Sequence, residues 1–407
     1  MAGLKYWLWL STRKGVGAVG ALRLLDRFQS PEQVYFAGQE EYDQVEGLSR
    51  QGRSELRDKS MERVQQILAD CQRLGVRILT LQDAGYPERL RQLPDAPIVL
   101  YVKGKLPILE EEVAIAVVGT REPSMYGLEM ASMLGYELAR GGAVVVSGIA
   151  RGLDSAALKG ALKAGGTVIS VLGGGTDVYY PRENRWLYED VAASGALISE
   201  YPPGTENAAA HFPIRNRIIS GLSLGVVAVE CRERSGTMST MNRALDQDRD
   251  LFAVPGAANS PMSRGTNLLI QQGAKLVTCG DDILSEYRDR FPVKLNQSVR
   301  EKEIREQRLE GVVEREEVKP APAEPEQVSQ SEGLEVVGRN EARERFTDDQ
   351  IEILLTLGEK SFGTEELVEM TQIPVRRVTT ALTMLQVDGA VEEGAGRRFT
   401  ACVRIKE

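Results

Sequence analysis

A chain of 407 residues with 42% hydrophobic content has room for two or three domains, each with its own core, and holds no apolar run of membrane-spanning length. A net charge of -9 argues against binding nucleic acid by overall charge, so such binding needs a local cluster of cations. The single histidine, His211, rules out a His-based metal cluster, and Cys71, Cys231, Cys279 and Cys402 lack the CxxC spacing of a zinc site.

The opening YWLWL is too short for the apolar centre of a signal peptide, and reduced thiols fit a cytoplasmic protein. Residues 1–85 carry apolar residues at helical spacing, as in ALRLLDRF and MERVQQILADCQRLG, and predict a helical domain. GVGAVGALRLLDRF (15–28) places glycines ahead of an amphipathic helix. It fits either a phosphate-holding helix-hairpin-helix turn or a tight connection between helices.

Residues 86–289 are read as a second domain. Six β-rich runs appear there: AIAVVG (114–119), AVVVSG (143–148), TVISVLG (167–173), GALISE (195–200), GVVAVE (225–230) and DLFAVPG (250–256). Near-continuous apolar character marks strands covered on both faces, and most are separated by helical stretches. The pattern predicts a doubly wound, Rossmann-like parallel α/β sheet. Residues 290–345 form a charged, proline-containing linker whose first half has the pattern of an exposed helix. Residues 346–407 read as three helices and a glycine-turned hairpin, the plan of a winged helix.

Ligands of open parallel sheets sit beyond the carboxyl ends of the strands. The first strand runs into Thr120 and Arg121, the second into Ser147, Gly148 and Arg151, and the third into GGGTD. The fifth runs into Arg234, Ser235, Gly236 and Thr237. HFPIRNRIISGLS (211–223) opens a helix between the fourth and fifth strands, with Phe212, Arg215, Asn216 and Arg217 at its start. Small residues admit a ligand to the backbone, and helix N-termini favour anions, so this rim suits several phosphates. Arg215 and Arg217 are expected on one side of the helix start, with structural ion pairing as the alternative. His211 is expected to be a hydrogen-bonded structural residue. No GxGxxG with a following acid and no GxxxxGK[ST] occurs, which disfavours nicotinamide and P-loop nucleotides; no cofactor, metal or catalytic residue is expected.

VVGTREPSMYG, SGIARGLDSAALKGAL, VLGGGTDVYYP, SEYPPG, HFPIRNRIISGLS, VVAVECRERSGT and AVPGAANSPMSRGTNLLIQQGA occur in this order. Together they resemble the DNA-processing protein A family (DprA, also called Smf) over roughly residues 80–285. The resemblance implies a non-enzymatic protein that binds single-stranded DNA, dimerises and loads the RecA recombinase onto DNA taken up in natural transformation. It places phosphates on Arg121, Arg215, Arg217 and the N–H groups around Gly148 and Gly236, with a base stacked on Phe212. The chain departs from the family at Ala157–Leu158, where a histidine is customary, at Ala208–Ala210, where a basic residue is common, and at Met241. Weaker DNA binding or an altered groove is the expectation from these changes.

Two other functions compete. Nucleoside-monophosphate phosphoribohydrolases share the general fold, but their PGGxGTxxE is not matched by GGGTDVYY, which lacks the proline and the acid. A transcription regulator could use Arg376, Arg377, Thr379 and Thr380 on the recognition helix and Arg397 and Arg398 in the wing. Residues 346–407, however, contain 7 Lys+Arg against 11 Asp+Glu, which disfavours duplex binding through phosphates.

Overall fold

The computed structural model describes residues 3–295, 335–338, 345–358, 360–371, 373, 375–394 and 398–406. The chain divides into two units, Met1–Val313 and Glu314–Glu407.

The first unit opens with six helices: α1 (Leu4–Ser11), α2 (Gly17–Phe28), α3 (Pro31–Phe36), α4 (Gln39–Asp43), α5 (Arg50–Glu55) and α6 (Glu62–Leu74). Trp7, Leu8, Trp9 and Leu10 of α1 are buried with Leu24, Val34, Ile67 and the edge of the sheet at Val99 and Tyr101. The glycine pattern at 15–28 forms a tight connection. Gly15 and Gly17 both have positive φ, and the Gly15 carbonyl accepts the Ser49 hydroxyl at 2.8 Å.

The sheet then builds through β1 (Arg77–Thr80), α7 (Glu88–Arg91), β2 (Val99–Gly104), β3 (Ala114–Val118), α8 (Met125–Arg140), β4 (Val144–Ser147), α9 (Leu153–Lys163) and β5 (Val168–Leu172). It continues with α10 (Arg185–Ser194), β6 (Ala196–Ser199), α11 (His211–Leu222), β7 (Gly225–Ala228), α12 (Gly236–Asp246), β8 (Asp250–Ala253), α13 (Arg264–Gln271), β9 (Lys275–Leu276) and α14 (Gly280–Leu284). The nine strands lie in the order β1-β2-β6-β5-β4-β3-β7-β8-β9. From β6 to β9 every pairing is parallel, while β1 and β2 form an antiparallel margin.

All six strands read from the sequence are present, and the doubly wound architecture follows from their composition. Every residue of β3, AIAVV, is buried, because alternate side chains enter two cores. Ile115 and Val117 pack with Leu134 and Leu138 of α8, Leu153 and Leu158 of α9, and Leu187 of α10. Ala114, Ala116 and Val118 pack with Leu90 of α7, Ile218, Ile219 and Leu222 of α11, and Met241 of α12. Helices α8 and α9 cross in near backbone contact: a Cβ at Gly135 would lie 2.1 Å from the Ala157 carbonyl oxygen. Ala157, Leu158 and Met241 are completely buried, so three of the departures from the family pattern are absorbed by the cores.

The chain leaves β3 toward β4, β5 and β6, then returns to β7 on the other flank of β3. This reversal opens a crevice at the carboxyl ends of β3 and β7, the location where open α/β sheets bind ligands.

In the second unit, helices Asp348–Leu357, Thr364–Thr371 and Val375–Val387 surround a core of Phe346, Leu354, Leu357, Leu367, Val378, Leu382, Leu385 and Phe399. Strands Ser361–Gly363, Arg398–Ala401 and Val391–Gly394 pair antiparallel in that order, completing a winged helix. A further strand, Glu335–Gly338, pairs in parallel with Val403–Lys406. On the recognition helix Arg377 is held bidentately by Asp349, with Nε and Nη2 donating at 2.8 and 2.6 Å, while Thr379 and Thr380 are exposed. Arg397, the Arg376 and Arg398 side chains, and most of the charged linker lie outside the described residues.

Candidate nucleic-acid interface

The crevice is a cleft of about 590 Å³. Its walls are the β3 loop with Thr120 and Arg121, the start of α11 with Phe212, Arg215 and Asn216, and the start of α12 with Ser235, Gly236 and Thr237. Eight of the thirteen residues assigned to DNA contact from the sequence therefore meet in one place.

Arg121 is exposed, and among the described residues no carboxylate forms an ion pair with it. Its guanidinium carbon lies 4.9 Å from the centroid of the Phe212 ring, a cation–π arrangement that leaves Nη groups for an anion. Phe212 is half-buried. It rests on Gly173, where a Cβ would sit 3.1 Å from the ring, and its ring centroid is 5.5 Å from that of exposed Tyr180. The GGGT turn is thus a flat seat for an aromatic side chain. Opposite, the Ser235 hydroxyl accepts the Met238 N–H at 3.3 Å and fixes the first turn of α12. Among the described residues no protein acceptor takes the N–H groups of Gly236 and Thr237, and nothing lies within 4 Å of a Cβ built at Gly236.

The β3 loop is braced from beneath by Glu230, a buried residue just past β7. Its carboxylate accepts the Ser124 hydroxyl at 2.6 Å and the Ser124 N–H at 3.0 Å, and its carbonyl accepts the Thr120 N–H at 2.9 Å. The carboxylate also faces the N-terminus of α8, where the helix dipole favours negative charge.

Five predicted residues take other roles. Ser147 is buried and donates its hydroxyl to the Val117 carbonyl at 2.7 Å, tying β4 to β3. Gly148 lies outside the cleft lining: its carbonyl accepts from Arg215 at 2.9 Å, and its N–H and that of Ala150 help pull the buried Asp154 carboxyl down against burial. Glycine is required at 148 by contact, since a Cβ would fall 2.4 Å from the Arg215 guanidinium. Arg151 points away from the cleft and pairs with Glu183 at 3.0 Å. Arg234 is exposed on the turn before α12, outside the cleft lining.

Arg217 is the largest correction. Residues two apart on a helix lie about 200° around its axis, so Arg215 and Arg217 face opposite ways. Arg217 is 3% exposed and pairs with Glu200 at 2.8 Å and Asp95 at 3.4 Å, an interior clamp with no access to the cleft.

Arg215 reaches the cleft only as its floor. It is 4% exposed, and Nη1 donates to the carbonyl oxygens of Gly148, at 2.9 Å, and Val171. Burial pulls the guanidinium below its ordinary range while Asp154 opposes that shift, and burial pushes the Asp154 carboxyl up while Arg215 pulls it down. The two charges compensate each other beneath the rim. His211 is structural as read: Nδ1 donates to the Gly173 carbonyl at 2.8 Å, and its ring stacks on Tyr201 at 4.1 Å.

Tyr180, Asn207 and Asp154 line the cleft, and Glu230 braces it, without having been assigned to the site. A carboxylate closing the apolar run VVAVE and paired tyrosines after a glycine turn were the available signals.

An open α/β sheet with helix N–H donors, an exposed arginine and an aromatic face at its switch point offers groups of the kind that suit phosphates and flat rings. The family model for DNA recombination-mediator protein A matches residues 77–288, and that for the DprA winged helix domain matches residues 319–397; the chain belongs to this family. It is 42% identical to the DNA processing protein DprA of Bacillus subtilis over 224 residues, covering 55% of this chain and 75% of that protein. Protein Smf of Synechocystis is 30% identical over 406 residues, 97% of this chain and 98% of that protein. The X-ray structure of DprA from Streptococcus pneumoniae aligns with a TM-score of 0.60 at 35% identity, covering 69% of this chain and 97% of that one.

Proposed function

We propose that this chain binds single-stranded DNA in the switch-point cleft, without catalysing a reaction on it. One observation carries the reading: an exposed arginine stacked over a half-buried phenylalanine shares the cleft with a helix start whose Gly236 and Thr237 N–H groups have no protein acceptor among the described residues. Phosphates would take Arg121 and the N–H groups of Gly236 and Thr237, and a base would stack on Phe212 or Tyr180. Single strands expose base faces to such a platform, whereas a duplex hides them. Membership of the DNA recombination-mediator protein A family and similarity to DNA processing proteins support a role in handling DNA.

The finer parts of the proposal rest on the family resemblance. The chain would act in the cytoplasm as a homodimer, protect incoming single strands and load the RecA recombinase during natural transformation or recombination. No helix among the described residues is long and apolar enough to cross a membrane.

Fluorescence anisotropy with single strands and duplexes of matched sequence tests the reading. Single strands of different sequence should bind with similar affinity, and all more tightly than the duplexes. Preferential binding to one duplex sequence would instead favour a regulator acting through the winged helix.

A further inference from the structure

A second cluster of cations lies at the opposite edge of the sheet, where β3, β7 and β8 begin. Arg89, Arg249 and Arg290 line a cleft of about 230 Å³ together with Glu88, Gln92, Glu110 and Leu224. At about 30 Å³ per water this holds on the order of eight waters, enough for a phosphate or pyrophosphate group.

Among the described residues none of the three arginines has a carboxylate within ion-pair distance. Arg89, 8% exposed, donates only to the carbonyls of Leu222, at 3.3 Å, and Glu112, at 2.9 Å. Arg249 donates through Nη2 to the carbonyls of Arg89 and Gly221, and its buried Nε has no partner. Of the five N–H groups a guanidinium carries, two of those on Arg249 are used. Of the two carboxylates of the cleft, Glu88 accepts from Arg91 at 2.8 Å, and Glu110 accepts the Glu88 N–H at 2.7 Å while attracting Arg89 through space.

Burial pulls the Arg89 guanidinium down to about 10, with Arg290 and Arg249 adding repulsion and Glu110 opposing it. Burial lowers Arg249 too, with Asp248 and Asp250 opposing the shift and Arg290 adding to it. These carboxylates offset the repulsion only in part, since both guanidinium groups stay lowered, and an anion seated among the three arginines would relieve it further.

We propose that this cleft is a binding site for the phosphate or pyrophosphate group of a small molecule, separate from the rim that faces DNA. Arg89 and Arg249 are fixed by main-chain carbonyls and form a preorganised base, and exposed Arg290 closes over the anion. The planar guanidinium fork suits a tetrahedral oxyanion better than a lysine would.

Isothermal titration of the full chain with sodium pyrophosphate in a chloride buffer tests the site. The ion should bind in this cleft, and Arg290→Glu should weaken that binding by about ten-fold or more, 1.4 kcal/mol per ten-fold. Arg290 is exposed, so this variant should fold normally. Arg121→Ala should leave pyrophosphate binding unchanged. At 0.15 M salt, where the screening length is about 8 Å, Arg290→Glu should keep its affinity for single strands.

Absence of binding, or equal binding by Arg290→Glu, would overturn the proposal. Loss of binding in Arg121→Ala alone would place the ion in the rim cleft, which also overturns it. A parallel loss of single-strand affinity in Arg290→Glu would assign the arginines to a DNA path rather than a small-molecule site. If the chain bound no DNA at all, the pyrophosphate result would still decide this question independently.

Discussion

Arg215→Ala is expected to cost about 3–5 kcal/mol of folding stability, the loss typical of removing one partner from a buried pair of charges. The Gly148 and Val171 carbonyls lose their donor, and the buried Asp154 carboxylate loses its compensating charge. Thermal or denaturant unfolding of the sheet unit measures the loss. The deficit should depend on pH with a definite sign. Burial already holds the Asp154 carboxyl above its ordinary range, and without Arg215 it moves further up. A carboxyl raised in the folded state carries no penalty while protonated, and weakens folding as pH climbs through its folded value. The variant should therefore be least stable at neutral pH and regain stability on acidification into the carboxylate range. A stable Arg215→Ala that merely binds DNA less tightly would return Arg215 to the role of a direct phosphate ligand.

Phe212→Ala has the opposite signature. A stacked base is worth about 1–3 kcal/mol, so this variant should lose that much affinity for single strands. Its folding stability should change by far less than the roughly 3–5 kcal/mol of a core phenylalanine, because the ring is only half-buried against Gly173 and Tyr180. Measuring unfolding and DNA binding on the one protein separates these cases. Destabilisation with unchanged affinity would make Phe212 a packing residue and remove the stacking platform.

The central strands were legible because a strand covered on both faces is almost continuously apolar, as AIAVV is and as VVVS and VISVL are apart from one serine each. The strands missed were those whose identity comes from pairing. RILT is a four-residue edge strand directly after a helix, fixed by antiparallel contact with β2, and β9 has two residues. A local pattern carries little information about either.

In the site, residue type was legible while burial was not. The sequence marks arginines near a helix start, yet their surroundings come from residues far along the chain. Glu200 and Asp95 capture Arg217, and two strand-end carbonyls hold Arg215, whose charge acts through space on buried Asp154. Of the two arginines that line the cleft, Arg121 is the one that remains exposed. The N–H groups near Gly148 have a neighbour the local pattern does not reveal, since the same bend that presents them brings the buried Asp154 carboxylate close by.

The most direct measurement is the salt dependence of single-strand affinity for the native chain, Arg121→Ala and Arg217→Ala, taken at a temperature where all three are folded. Each phosphate contact on a single strand contributes about -0.7 to the slope of log affinity against log salt. Arg121→Ala should weaken binding to all sequences and flatten the slope by roughly 0.7, while Arg217→Ala should leave it unchanged. An unaltered slope in Arg121→Ala, or a flattened one in Arg217→Ala alone, would contradict the assignment of the cleft as the DNA site.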